Sequence, residues 1–283
     1  MLHINLYKME ETIFYLEGRG GMFLYHFFIY NLGGLYYILN GIYNLRGPTK
    51  TSILFDDVNK LIDLPTNVST PIKIHMKNLL PFQREAFDII KDKFTLIEDL
   101  SDIQNYKIVS IYGETVINNY YSDNPNVIFN FLRNLFLEKM NYDVVPKKRI
   151  FITRKNSEAQ HGRLKRAVLN ENEFLETLKK YNFQLIQLEN YNTHDKIKLF
   201  MESELIVSSN SSCLTLSLFA NKKSNIIEIL KNGDSGFPHE HYYNICKILG
   251  LNYNRYSNIN EDDDGNFNID VNDFEMFLRK FIA

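Results

Sequence analysis

The sequence predicts an α/β protein of two Rossmann-like lobes, each built on a parallel sheet. Two observations carry that expectation. Short apolar runs of strand length alternate with longer amphipathic stretches through most of the chain. At 283 residues it can also bury two ordinary cores or one large one. A composition of 45% hydrophobic, 14% aromatic and 23% charged residues is that of a folded chain.

In the first half, residues 12–16 (TIFYL) and 52–55 (SILF) read as strands, and the apolar run between them has helix length. IKIHM follows Pro71 as a further strand. PFQREAFDIIKDK reads as a helix with Pro81 in its first turn and Phe82, Ala86, Ile89 and Ile90 on one side. FTLIED and YKIVSIY are the next strands. Alternation of this kind points to a parallel sheet covered by helices.

The chain turns polar from Asn119 to Asn124, and Asn126 to Met140 then makes a long amphipathic helix of interlobe type ending before Pro146. In the second half RIFIT (149–153), FQLIQLE, ELIVSS and NIIEIL (225–230) read as strands. Helices fall at Asn170–Tyr181, Thr193–Ser203 and Cys213–Ala220. Four strands with three intervening helices make a doubly wound half-unit, whose ligand belongs at the carboxyl ends of its strands. The expected organisation is a first Rossmann-like lobe over 1–122, a linker over 123–146, a second lobe over 147–260, and an acidic turn with a closing helix over 261–283. That helix, Val271 to Ala283, is expected to pack back across the lobes.

A net charge of -2 offers no global field for nucleic acid, and no RNA or DNA motif is present. Cys213 and Cys246 lack metal-type spacing and read as buried free thiols. The acidic run 261–265 has Val271 where a calcium loop needs a carboxylate, so it reads as a solvated turn. No stable membrane insertion is expected. The run Met22 to Leu45 is interrupted by His26, Asn31, Gly33, Gly34, Asn40 and Gly41, and the start of the chain lacks the pattern of a secretory signal. The expected location is the cytoplasm or the cytosolic face of a membrane.

Three segments could carry chemistry in the second lobe. Past the strand RIFIT stand Arg154, Lys155, His161, Arg163, Lys165 and Arg166, either a grip for a diphosphate or a solvated basic loop. Next, Ser208, Ser209, Asn210, Ser211 and Ser212 lead from a strand into the helix at Cys213. Small residues there leave backbone N–H groups open to an anion, or simply cap the helix. Glu228, near the end of the following strand, could hold ribose hydroxyls or form a structural ion pair. In the first lobe, Gly18 to Gly21 precede a helix carrying His26, a candidate general base or a buried structural histidine.

These pieces in this order resemble glycosyltransferase family 61, whose members include xylosyl- and N-acetylglucosaminyltransferases. In that family a strand ends in Ile-Ser-Arg, and an Arg-Arg-x-x-Asn-Glu run then opens a helix. Ile152-Thr153-Arg154-Lys155 and Arg166-Ala167-Val168-Leu169-Asn170-Glu171 stand in the matching places. The stretches YNFQLIQLENYNTHDKIKLFMESELIV and CLTLSLFANKKSNIIEI are similar to the family's next phrases, FQREAF to one in its first half, and NIDVNDFEMFL to its closing helix. The family's Gly-Pro-His-Gly-Ala-Gly-Leu-Thr-Asn loop is here Ser208-Ser209-Asn210-Ser211-Ser212-Cys213-Leu214-Thr215-Leu216, and the second arginine of its pair is Ala167. Donor binding either persists with altered specificity or is lost, since Ser and Asn still donate hydrogen bonds.

The resemblance implies a GT-B architecture and inverting transfer from a nucleotide-sugar donor, UDP-sugar favoured, to a glycan or glycoprotein acceptor. It implies no cofactor and no required metal. Arg154, with Arg166 and the turn Ser209–Cys213, would stabilise the leaving diphosphate, and His26 would take the acceptor's proton. A catalytically silent carbohydrate- or nucleotide-binding relative is the alternative. A different α/β enzyme would need a Walker lysine loop, a Gly-x-Ser-x-Gly elbow or paired metal-type aspartates, none of which is present.

Overall fold

The computed structural model describes residues 11–17, 23–39, 71–76, 78–99, 106–112, 125–140, 144–155, 166–231 and 240–282. The chain divides into two compact units, Met1–Asn124 and Pro125–Ala283. Both are α/β, and each has a parallel sheet.

The first unit's sheet has four strands: β1 (Glu11–Glu17), β2 (Ile72–His75), β3 (Phe94–Leu96) and β4 (Tyr106–Tyr112), in the order β3-β2-β1-β4. Between β1 and β2 the aromatic run winds as a π-helix over His26–Leu32 and continues as α1 (Gly34–Leu39). The wider turn is visible in Gly33 N donating to Phe28 O at 3.2 Å. Phe27, Phe28, Ile29, Leu32 and Leu35 are fully buried, so this run is core. No described helix is long and apolar enough to cross a membrane. α2 (Pro81–Ile89) begins with Pro at its first position, and Gln83 Oε1 accepts from Leu80 N at 2.7 Å, satisfying an otherwise orphaned donor. The expected strand at 52–55 and the glycines Gly18 to Gly21 lie outside the described residues.

The second unit opens with α3 (Pro125–Met140), the long amphipathic helix. It packs within this unit: Phe136 meets Phe219 at 5.3 Å between ring centres, and Arg133 Nη1 donates to Leu218 O at 2.6 Å. The sheet comprises β5 (Lys148–Ile152), β6 (Phe183–Ile186), β7 (Ser203–Ser209), β8 (Asn225–Ile229) and β9 (Asn252–Tyr256), in the order β6-β5-β7-β8-β9. The helices are α4 (Glu171–Lys179), α5 (Thr193–Glu202), α6 (His241–Leu249) and α7 (Val271–Leu278). Each has a local cause. α4 carries Glu171 and Glu173 in its first turn and Lys179 in its last, matching the helix dipole. The Asn192 side chain caps α5 by accepting from Asp195 N at 2.8 Å. α6 ends at Gly250, whose φ of 67° is the left-handed stop that glycine adopts without strain.

Two features differ from the sequence expectation and one extends it. The sheet has a fifth strand, and α6 precedes it. The acidic run 261–265, expected as a solvated turn, is exposed over Asp262–Asp264 and closes an antiparallel hairpin, β10 (Ile259–Glu261) and β11 (Phe267–Ile269), with Gly265 at φ 76°. The segment after the serine-rich turn is a 3-10 helix over Ser212–Phe219 rather than an α-helix from Cys213. From Cys213 to Ala220 every residue is buried, so packing on all sides sets its winding.

The sequence has the closing helix crossing back between lobes; the contacts described for α7 lie within the second unit. Phe274 stands edge-on to Phe174 (4.8 Å) and Tyr256 (4.9 Å), and Tyr181 OH donates to Glu275 Oε1 at 2.6 Å. This cluster also holds Phe151, Val207 and Ile227, register-paired neighbours on three adjacent strands. α7 starts at Asp270, whose Oδ1 accepts from Asn272 N (3.0 Å) and Asp273 N (3.1 Å). Asp270→Ala should therefore cost about 1 kcal/mol. Urea unfolding checks this, with a lower midpoint and an unchanged slope.

Candidate functional site

In the order β6-β5-β7-β8-β9 the chain leaves β5 to one side for β6 and returns on the other for β7. The chain thus leaves β5 and β7 in opposite directions, which puts the switch point of the sheet at the carboxyl edge between those two strands. The residues bordering it are Thr153, Arg154 and Lys155 after β5, and Asn210 and Ser211 after β7.

Asn210 is the meeting point. Its backbone oxygen accepts from Arg154 Nη1 at 3.1 Å and from Arg166 Nη1 at 3.3 Å. Its Oδ1 accepts from Arg166 as well, and its Nδ2 donates to Glu228 Oε1. Two cations separated by a whole loop thus converge on one residue. Burial, reinforced by the neighbouring Arg166 charge, lowers the Arg154 pKa, although the thiol of Cys213 acts in the opposite direction. A half-buried guanidinium pair is weakly solvated and suited to a polyanion.

Arg166 has a φ of 55°, a left-handed conformation uncommon for a side chain of this size. The backbone that follows it holds it there. Ala167 N donates to Asn266 Oδ1 (3.2 Å), Phe267 N to Ala167 O (3.0 Å), and Leu169 N to Phe267 O (2.8 Å). Asn170 then pairs its side-chain amide with both backbone groups of Ile269, at 2.9 and 3.0 Å. Glu171, buried in the first turn of α4, accepts from Thr153 Oγ1, whose oxygen also accepts from Lys155 N at 3.0 Å. Asn170 and Glu171 therefore brace the two arginine-bearing segments, while Ala167 lends its backbone to the hairpin.

The serine-rich turn is closed in on itself. Ser208 Oγ donates to Ser209 O at 3.0 Å, and Ser211 Oγ lies 2.8 Å from Cys213 Sγ. Ser208, Ser209, Ser211 and Cys213 are buried and Ser212 is half-buried. Burial pushes the Cys213 thiol up, against the hydrogen bonds of Ser208 and Ser211. Leu214 N already donates to Ser211 O at 3.0 Å, so that amide is engaged within the 3-10 turn.

Glu228 is 0% exposed and lies between Asn210 and Tyr253, whose hydroxyl donates to Glu228 Oε2. Burial raises its pKa, and its bonds to Tyr253 and Asn210 oppose that rise. Arg255 Nε follows, 3.3 Å from Tyr253 Oη. Lys155 is exposed. His161, Arg163 and Lys165 lie outside the described residues. His26 belongs to the first unit, half-buried and stacked on Tyr30 at 5.1 Å. His75, not singled out by sequence, closes β2 and bonds through Nδ1 to Ile97 O at 2.7 Å.

Tyr253 and Arg255 were also missed, since they stand on a strand whose sequence, NYNRY, lacks an apolar period. Tyr242 could have been found. It opens a run with Ile245, Cys246 and Leu249 at helical spacing, and burial raises its phenol pKa beside Glu228.

The family model for glycosyltransferase 61 matches residues 24–227, most of the chain, including both arginines and the serine-rich turn. The chain belongs to glycosyltransferase family 61. Membership implies a sugar donor and an acceptor as partners. No curated protein matches the chain.

Proposed function

We propose that this family 61 protein is an inverting glycosyltransferase of GT-B architecture. Its donor would be a nucleotide sugar, with a UDP-sugar favoured, and its acceptor a hydroxyl of a glycan or glycoprotein. The observation that carries this reading is the convergence of Arg154 and Arg166 on Asn210 at the switch point of a parallel sheet. A diphosphate at that edge meets two guanidiniums, and it gains negative charge as the sugar departs.

In the reaction the acceptor oxygen forms a bond to the anomeric carbon from the face opposite the leaving group. The bond from that carbon to the diphosphate breaks, and its electron pair stays on the phosphate oxygen. The transition state is oxocarbenium-like at the sugar. Arg154 and Arg166 stabilise the leaving charge without a metal, Ser209–Cys213 shape the edge, and His26 takes the hydroxyl proton. The cytoplasm, or the cytosolic face of a membrane, is the setting proposed for it.

A panel of UDP-, GDP- and dTDP-sugars tests this reading. One UDP-sugar should be hydrolysed or transferred in the presence of chelator. At a hundredfold excess over its dissociation constant it should add about 2.7 kcal/mol of stability. A panel that gives no turnover and no thermal stabilisation would overturn the reading.

One observation favours a silent, binding-only relative: the arginines already hold the Asn210 oxygens, and the serine turn is filled by its own side chains. Calorimetry separates the two. Carbohydrate binding without nucleotide affinity supports the silent relative, and nucleotide affinity in the micromolar range supports the transferase.

A further inference from the structure

We infer that Glu228 is a positioning residue, acting through the Asn210 side chain to hold Arg166 beside Arg154 at the Asn210 carbonyl, rather than a contact for the ribose of the donor. The inference rests on the nucleotide-sugar reading only for the identity of the anion those arginines receive.

The argument begins with the amide of Asn210. A guanidinium offers only donors, so the group facing Arg166 must be an oxygen; a carboxylate offers only acceptors, so the group facing Glu228 must be an N–H. Asn210 meets both demands in one orientation, with Oδ1 on Arg166 and Nδ2 on Glu228. Turning the amide over would set N–H against guanidinium and oxygen against carboxylate. Glu228 thus fixes which end of Asn210 faces Arg166.

The second carboxylate oxygen is held just as firmly. It accepts from Tyr253 OH, and Arg255 Nε stands behind that hydroxyl. Sheet register supports the arrangement, because Ser208, Glu228 and Arg255 are paired neighbours on three adjacent strands. With both oxygens occupied and no exposed surface, Glu228 has little left to offer a ribose hydroxyl.

Glu228→Gln keeps the shape but leaves one good acceptor for two donors, which frees the Asn210 amide to turn. Titration of the full chain with uridine, UDP and inorganic pyrophosphate, in metal-free buffer, reads the consequence. The variant should bind pyrophosphate and UDP roughly tenfold more weakly, with uridine affinity unchanged within about twofold. Equal losses for uridine and UDP would instead mean ribose contact and overturn the inference.

Tyr253→Phe removes one hydroxyl from the same arm and should weaken pyrophosphate about threefold, again sparing uridine. It also covers the case in which Glu228→Gln fails to fold. The side-chain amide resonances of Asn210 provide a readout that needs no ligand. They should move in either folded variant, and unmoved amide and guanidinium signals would overturn the inference. If the wild type binds neither pyrophosphate nor UDP, the donor reading falls, and the amide signals still decide the role of Glu228.

Discussion

Arg154→Ala is expected to lower the rate of sugar transfer about 10²–10³-fold, the usual consequence of removing one preorganised donor from a developing negative charge. Arg154 leaves the sheet directly after β5, with Thr153 beside it held by Glu171. Its guanidinium therefore reaches Asn210 from a braced backbone. Loss of that group should appear mainly in kcat, since charge on the diphosphate grows as the glycosidic bond breaks. Arg154→Lys should recover part of the rate, because an ammonium supplies the charge without the fork. Stability should change by less than about 1 kcal/mol, since Arg166 still occupies the Asn210 carbonyl and no apolar core is opened. Steady-state kinetics with the donor identified by the panel provides the measurement. A variant with wild-type kcat would remove Arg154 from the chemistry.

Phe174→Ala carries the largest expected effect on stability, a loss of about 3–5 kcal/mol. Phe174 is 0% exposed, and its ring stands edge-on to Phe151 at 5.1 Å and to Phe274 at 4.8 Å. It joins the sheet, α4 and α7, so the cavity would open where three elements meet. Small domains are stable by only about 5–15 kcal/mol in total, so the variant would be near the limit of folding. Calorimetry should show a melting temperature about 10 °C lower. Phe174→Leu, which keeps much of the volume, should cost distinctly less. α4 also carries Glu171, the brace of Thr153, so nucleotide affinity should fall only as the folded fraction falls. A Phe174→Ala protein with a near-native melting temperature would show that this cluster is not the centre of the core.

Several elements were legible in the sequence because their causes are local. β5, β7 and β8 are apolar runs of strand length, and α4 and α5 carry the 3.6-residue period with acidic first turns. The run 22–45 is broken by residues that suit a protein core better than lipid, and residues 27–35 within it are buried. The places of Arg154 and the serine-rich turn just past strand ends were also legible, since β5 and β7 before them are apolar runs.

Other features have no local signature. The segment Ser212–Phe219 keeps even its polar residues Thr215 and Ser217 buried, so no solvent-facing side distinguishes an α-helical from a 3-10 winding in its sequence. β9 is a polar edge strand that exists by pairing with β8.

The order of residues thus determined the family, the alternation of strands and helices, and which loops end at a strand's carboxyl edge. Tertiary structure alone decided that Arg154 and Arg166 share the carbonyl of a residue 56 and 44 positions away, and that Glu228 faces Asn210 instead of solvent. The physical reason is range. Hydrophobic period and capping act within a turn or two of the chain, whereas a buried polar group takes its partner from whatever the packed sheet places beside it.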